Sequence, residues 1–248
     1  MPALFLALCG WLLTTSASAT ILIFDQERDS ATGTVVGATT SGGIPPTDYG
    51  DRVTSAAMAV PGGIFTYGEA GEGFTPNVSI DLSSSGASAT DPGVRLWGTG
   101  YGDLVNVVFS EGPGTGGSPI LNVLFTAGPG FVVDLYGFEL AAFGSADLTI
   151  AGVEILSGAT PLFSQTNVVV AGTANALGRT TFAFGTPYSG AELLLRIDLS
   201  NLASGIQDNI GVDSIRFGQT PPPIPEPGTA VLVFAGLTAL AGGRRARD

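Results

Sequence analysis

The chain has 248 residues, a formal net charge of −12, 37 glycines, no histidine, no lysine and one cysteine, Cys9. That excludes Ser-His-Asp and Cys-His catalysis, and with them the usual zinc and haem ligand sets. The acid excess repels nucleic acid, so no nucleic-acid partner is expected, and it attracts divalent cations.

In chain order, residues 1–19 have the pattern of a secretory signal peptide. Leu4 to Leu13 form an apolar core, and Ala17-Ser18-Ala19 fits a small-residue cleavage site that leaves Thr20 as the mature start. Cys9 follows Leu8 rather than a small residue, which argues against lipidation.

Residues 20–220 have a length suited to one β domain. The first predicted strand is Ile21 to Phe24, which can lie beside the last strand because domain termini are often neighbours. Residues 26–50, rich in Gly, Thr and Ser, are expected to form a long loop. Ile64–Tyr67 and Val78–Leu82 follow, joined by the turn Gly68–Gly73, and residues 83–93 return to loop. Val94–Trp97, Leu104–Phe109, Ile120–Phe125, Phe131–Ala142, Leu148–Leu156, Leu162–Val170 and Thr180–Phe184 are further strands bounded by Gly or Pro. In Leu193–Leu199 the odd positions stay apolar while 196 and 198 are charged, the period of a sheet with one buried face. Ile210–Phe217 closes the domain. About a dozen short strands without a helical stretch predict an all-β fold, an antiparallel β-sandwich of jelly-roll type.

Residues 221–248 change character. Prolines at 221–227 form a stiff spacer, Thr229 to Ala241 is uncharged and mostly apolar, and Arg244, Arg245 and Arg247 follow at once. A basic end is held on the cytoplasmic side of an inner membrane, so the domain would point outward. Pro225-Glu226-Pro227, the apolar run and Arg244-Arg245-Ala246-Arg247 together resemble the PEP-CTERM sorting tail of exosortase-processed bacterial surface proteins. The run from 228 to 243 is shorter than the ~20 residues of a typical spanning helix. The resemblance implies a single hydrophobic anchor helix, transient residence in the inner membrane, an exosortase-type processing enzyme as partner, and release to the cell surface or beyond. Pro225, Glu226 and Pro227 would be the sorting motif, and Arg244, Arg245 and Arg247 the basic stop.

Several patches are similar to ectodomains joined to such tails: Gly50–Val53, Gly71–Val78, Gly100–Val107 and Ile210–Phe217. The last looks like the closing strand of a carbohydrate-binding-type jelly roll, with Asp213-Ser214 where Asp-Asn is commoner. That likeness suggests a structural or adhesive role in extracellular polysaccharide. The rival is an extracellular polysaccharide-degrading enzyme, since paired carboxylates need no histidine; Asp51, Glu72 and Asp103 are candidates, and no spacing selects a pair. Trp97 and Tyr101 suit stacking on a sugar ring, or else packing within the domain. Period two places Asp213 on one face with Ile215 and Phe217. An acid on an apolar face needs a partner, and only six arginines lie outside the tail. A structural calcium ion is therefore expected at Asp213, with Asp25, Asp48 and Asp51 as further ligands. The alternative is a β-bulge that turns Asp213 outward, or a cap on backbone N–H groups.

Overall fold

The computed structural model describes residues 19–24, 27–28, 35–37, 42–45, 48–53, 73–111, 117–174 and 178–221. Its strands are β1 Thr20–Leu22, β2 Glu27–Arg28, β3 Val35–Gly37, β4 Val78–Ser84, β5 Val94–Trp97, β6 Val107–Ser110 and β7 Ile120–Ala127. They continue as β8 Val132–Ala142, β9 Leu148–Ser157, β10 Thr160–Val170, β11 Thr180–Gly190, β12 Glu192–Asp198 and β13 Ile210–Thr220. The only helical segment among the described residues is a 3-10 turn at Gln207–Asn209. No described helix is long and apolar enough to cross a membrane.

The chain is all-β and forms two antiparallel sheets. Sheet I has the order β11-β8-β13-β6-β5, with β1 also paired to β13, and sheet II the order β10-β9-β12-β7-β4. From β6 onward each connection passes to the other sheet, except the hairpin β9–β10. The first and last strands are neighbours, with Thr20 opposite Phe217 and Leu22 opposite Ile215.

Alternation supplies the core between the sheets. On β12, Leu193, Leu195 and Ile197 are buried, as is Leu199 just beyond it, while Arg196 and Asp198 stay half-exposed. From sheet I, Val133, Leu135, Phe138 and Leu140 of β8 and Val212, Ile215 and Phe217 of β13 join the same cluster. Phe125 of sheet II meets Phe217 of sheet I with ring centroids 5.2 Å apart. Where the edge strands β10 and β11 diverge, a seam of rings fills the gap: Phe163 lies 5.4 Å from Phe184, and Phe182 lies 4.6 Å from Phe138.

Several predicted boundaries shift. β1 stops at Leu22, and Phe24 takes a left-handed φ of 50°. The 26–50 stretch contains the paired strands β2 and β3 where only loop was expected. β6 starts at Val107, because Tyr101 bridges to Leu104 and Asn106 is left-handed (φ 64°). β11 runs on to Gly190, past Gly185 and Pro187, because a register shift between Ala183 and Tyr188 absorbs them. Ile64–Tyr67, residues 1–18 and the tail from 222 lie outside the described residues, as do Asp25, Glu72, Pro225, Glu226, Pro227, Arg244, Arg245 and Arg247.

Candidate functional site

The unusual chemistry stands on the outer face of sheet I, away from the core. β8 and β13 are central strands, and their inward residues leave Glu139 and Asp213 pointing the other way. These two acids are directly opposite each other in the ladder. Both are buried, Glu139 at 7% exposure and Asp213 at 5%.

For Asp213 the face-sharing expectation fails and the β-bulge alternative holds. Period two placed it with Ile215 and Phe217, but Ser214 is left-handed (φ 51°) and the β13–β8 register shifts between Asp213 and Arg216. One bulge residue reverses the alternation, so Val212 faces the core before it and Ile215 after it, and Asp213 faces outward.

What buries these acids is a roof made by the chain between β5 and β6. Gly102 lies against Gly178: its φ is 55°, and a Cβ there would sit 1.4 Å from the Gly178 carbonyl oxygen, so only glycine fits. Next to this contact Arg179 spans the gap. Its Nη1 donates to Asp103 Oδ2 at 2.6 Å in the roof, and its Nε lies 3.3 Å from Glu139 Oε1 below. Asp213 Oδ2 accepts from the Ser214 hydroxyl at 3.4 Å, while no protein group donates to Oδ1. Burial pushes the Asp213 carboxyl up to about 7, against the pull of the Ser214 N–H, and the Glu139 charge raises it further. Asp134, also buried on this sheet, contrasts with it: the hydroxyls of Ser189 and Thr220 both donate to its carboxylate.

The remaining candidates are not gathered here. Asp51 lies in the turn 48–52 beside β4 of sheet II, where its Oδ1 accepts from the Ile80 N–H at 2.6 Å; burial raises its carboxyl above the usual range. Asp48 caps the same turn through its carbonyl, which accepts from the Asp51 N–H at 3.0 Å. The calcium set is thus divided, with Asp213 in β13 of sheet I and Asp48 and Asp51 in a turn beside sheet II. Among the described residues, no group of three or more His, Cys, Asp or Glu residues is assembled to hold a metal ion. Of the carboxylates considered for hydrolysis, Asp51 and Asp103 lie in separate turns, one bonded to Ile80 of sheet II and the other to Arg179 beside sheet I.

Trp97 and Tyr101 do come together, in a second small cluster that joins the roof residues Tyr101 and Leu104 to Val107, Phe109 and Ala141 of the sheet. Tyr101 is 3% exposed, stacks on Phe109 at 6.0 Å, and donates its hydroxyl to the Asp208 carbonyl at 2.5 Å. Gly211 admits it, since a Cβ there would lie 2.9 Å from the Tyr101 ring. A ring so enclosed has no face for a sugar. Trp97 is half-buried, edge-on to Phe109 and Phe143 at 6.2 Å each, and Phe143 is 43% exposed.

Glu139 and Arg179 were missed by sequence reasoning. Glu139 is an acid inside a long apolar strand, which was a usable signal; its partnership with Asp213 depends on the strand order.

No protein-family model matches the chain, and no curated protein is similar enough to count as a relative. The fold and site define an all-β protein of two antiparallel sheets with a roofed, acid-bearing outer face.

Proposed function

We propose that this is an exported bacterial surface or matrix protein, delivered by its C-terminal tail and serving a structural or adhesive role in extracellular polysaccharide. The observation that carries the reading is the order of the last 28 residues: proline spacer with Pro225-Glu226-Pro227, uncharged apolar run, and Arg244, Arg245 and Arg247 at the end. Each part has its own physical task, and a core segment has no use for the set. The spacer holds the domain off the membrane, the run enters the bilayer, and the arginines stop translocation.

The domain is consistent with that destination. Its strand order, β11-β8-β13-β6 facing β10-β9-β12-β7 with repeated crossings between sheets, supports the jelly-roll reading. Its stability rests on apolar burial with no cysteine after Cys9, so folding outside the cytoplasm does not depend on forming disulfides.

The test is fractionation of a Glu226→Ala variant in a bacterium that has an exosortase-type enzyme. The expected result is an untrimmed chain retained in the membrane fraction. Release and trimming equal to the parent would sink the assignment.

A further inference from the structure

The surroundings of Asp213 make its charge hard to hold. Glu139 stands directly opposite it in the β8–β13 ladder, and both acids are buried on the same outer face. Residues paired in this way lie about 5 Å apart at Cα. Arg179, just before β11, is the guanidinium beside them, and it already lies 3.3 Å from Glu139 and 2.6 Å from Asp103. Among the described residues no other element brings a cation to Asp213. β6, the strand on the other side of β13, has no charged residue. Arg216 of β13 and Tyr136 of β8 line a small cavity with Glu139 and Ser214, but Arg216 is exposed and forms no ion pair with a described residue. Thr181 of β11 offers only a hydroxyl, to Glu139 at 3.5 Å. Asp213 Oδ2 accepts from the Ser214 hydroxyl, and Oδ1 has no protein donor.

The roof closes over this face close by. Tyr101 packs over Gly211 and Gly102 over Ala141, the residues two places along from Asp213 and Glu139. From that side, water reaches the pair only when the roof lifts. A neutral carboxyl is tolerated in such a place, whereas an anion without a donor or a cation of its own is far more costly. Burial accordingly pushes the Asp213 carboxyl from its ordinary 3.8 up to about 7; the Glu139 charge adds to the rise, and Ser214 and Arg179 oppose it. Asp134 represents the other solution on the same sheet, a buried acid whose carboxylate accepts from the hydroxyls of Ser189 and Thr220.

We propose that the Asp213 carboxyl is a proton latch: it keeps its proton while the roof is shut over sheet I, and losing that proton to solvent as the pH rises through neutrality loosens the roof. With the proton on, Asp213 is neutral, and Arg179 serves only Glu139 in the sheet and Asp103 in the roof. With it off, a second buried anion faces Glu139. The relief is water, which enters as Tyr101–Leu104 lifts away from Gly211 and Ala141. The sign follows from linkage. Between 3.8 and about 7 the folded chain holds a proton that the unfolded chain lacks. Stabilisation from this group is therefore full in acid, falls as the pH rises across that window, and is flat above it. The inference does not depend on where the chain is delivered.

Thermal melts of the full-length chain and of Asp213→Asn across neutral pH test it. Asparagine cannot ionise, so the variant should gain on the wild type by roughly 3–8 °C between about pH 5 and about pH 8. The comparison is of slopes, so a uniform change in stability from the amide leaves it intact. Hydrogen exchange of the wild type, corrected for the intrinsic effect of pH, reads the roof itself. The Leu104 and Asn106 N–H groups, which donate to the Tyr101 and Gly98 carbonyls, should lose protection roughly tenfold from about pH 6 to about pH 8, while the β12 amides keep theirs. Parallel melting profiles in the two proteins would overturn the proposal, and so would roof protection that is constant with pH. Should Asp213→Asn fail to fold, NMR of the wild-type carboxyl carbons replaces the melts. An aspartate titrating near pH ~7 is expected, and none titrating above about pH 6 would overturn the latch.

Discussion

The outer faces of the two sheets use the same chemical parts in opposite ways. On sheet II, Arg196 of β12 meets Glu154 of β9 at 3.0 Å and lies 3.7 Å from Asp198, with all three side chains open to water. On sheet I, Arg179 meets Glu139 and Asp103 beneath and within the roof, beside the buried Asp213. Each site has one guanidinium and two carboxylates as direct partners; what differs is the burial of one carboxylate, Glu139. Water screens the sheet II ladder and makes it nearly dispensable. On sheet I Arg179 is as exposed as Arg196, but Glu139 and the neighbouring Asp213 are buried, so the charge of these two acids is screened less. The roof in turn depends on two glycines in contact, Gly102 and Gly178, and on Tyr101 packed over Gly211.

Replacing the arginine at each site sharpens the contrast. Arg179→Met leaves Glu139 and Asp213 facing each other without a cation. About 2–3 kcal/mol of stability should be lost, less than for a fully buried pair because Arg179 is partly exposed. Chemical denaturation reads this directly. Arg196→Met removes the equivalent group from sheet II and should cost no more than about 1 kcal/mol, with the difference fading at high salt. Similar losses at both positions would mean that the roof does not alter the electrostatics beneath it.

Much of the sandwich was legible in the sequence, because one-sided burial leaves a period of two. Val94–Trp97 occurs as read, and the odd positions of 193–199 point inward as read. The outer face of sheet I was not legible, for local and long-range reasons. A bulge at Asp213 was open as an alternative from the cost of an acid on an apolar face, but Ser214 adopts its left-handed backbone without being glycine, so nothing in the letters places the reversal there. Glu139 becomes the partner of Asp213 only through the pairing of β8 with β13. Tyr101 could be read as packing within the domain, which holds, but its enclosing groups, Phe109, Phe143 and the Asp208 carbonyl, come from other segments that the letters alone do not bring together. Edge strand β11 continues through Gly185 and Pro187, residues that ordinarily end a strand, because its bulge takes them out of the ladder.

The account's central claim is export with loss of the tail, and intact-mass measurement tests it most directly. The protein would be recovered from the surface or medium of a bacterium with an exosortase-type enzyme. The predicted mass is that of a chain starting at Thr20 and lacking the apolar run and Arg244-Arg245-Ala246-Arg247. A recovered chain that still ends at Asp248 would contradict it.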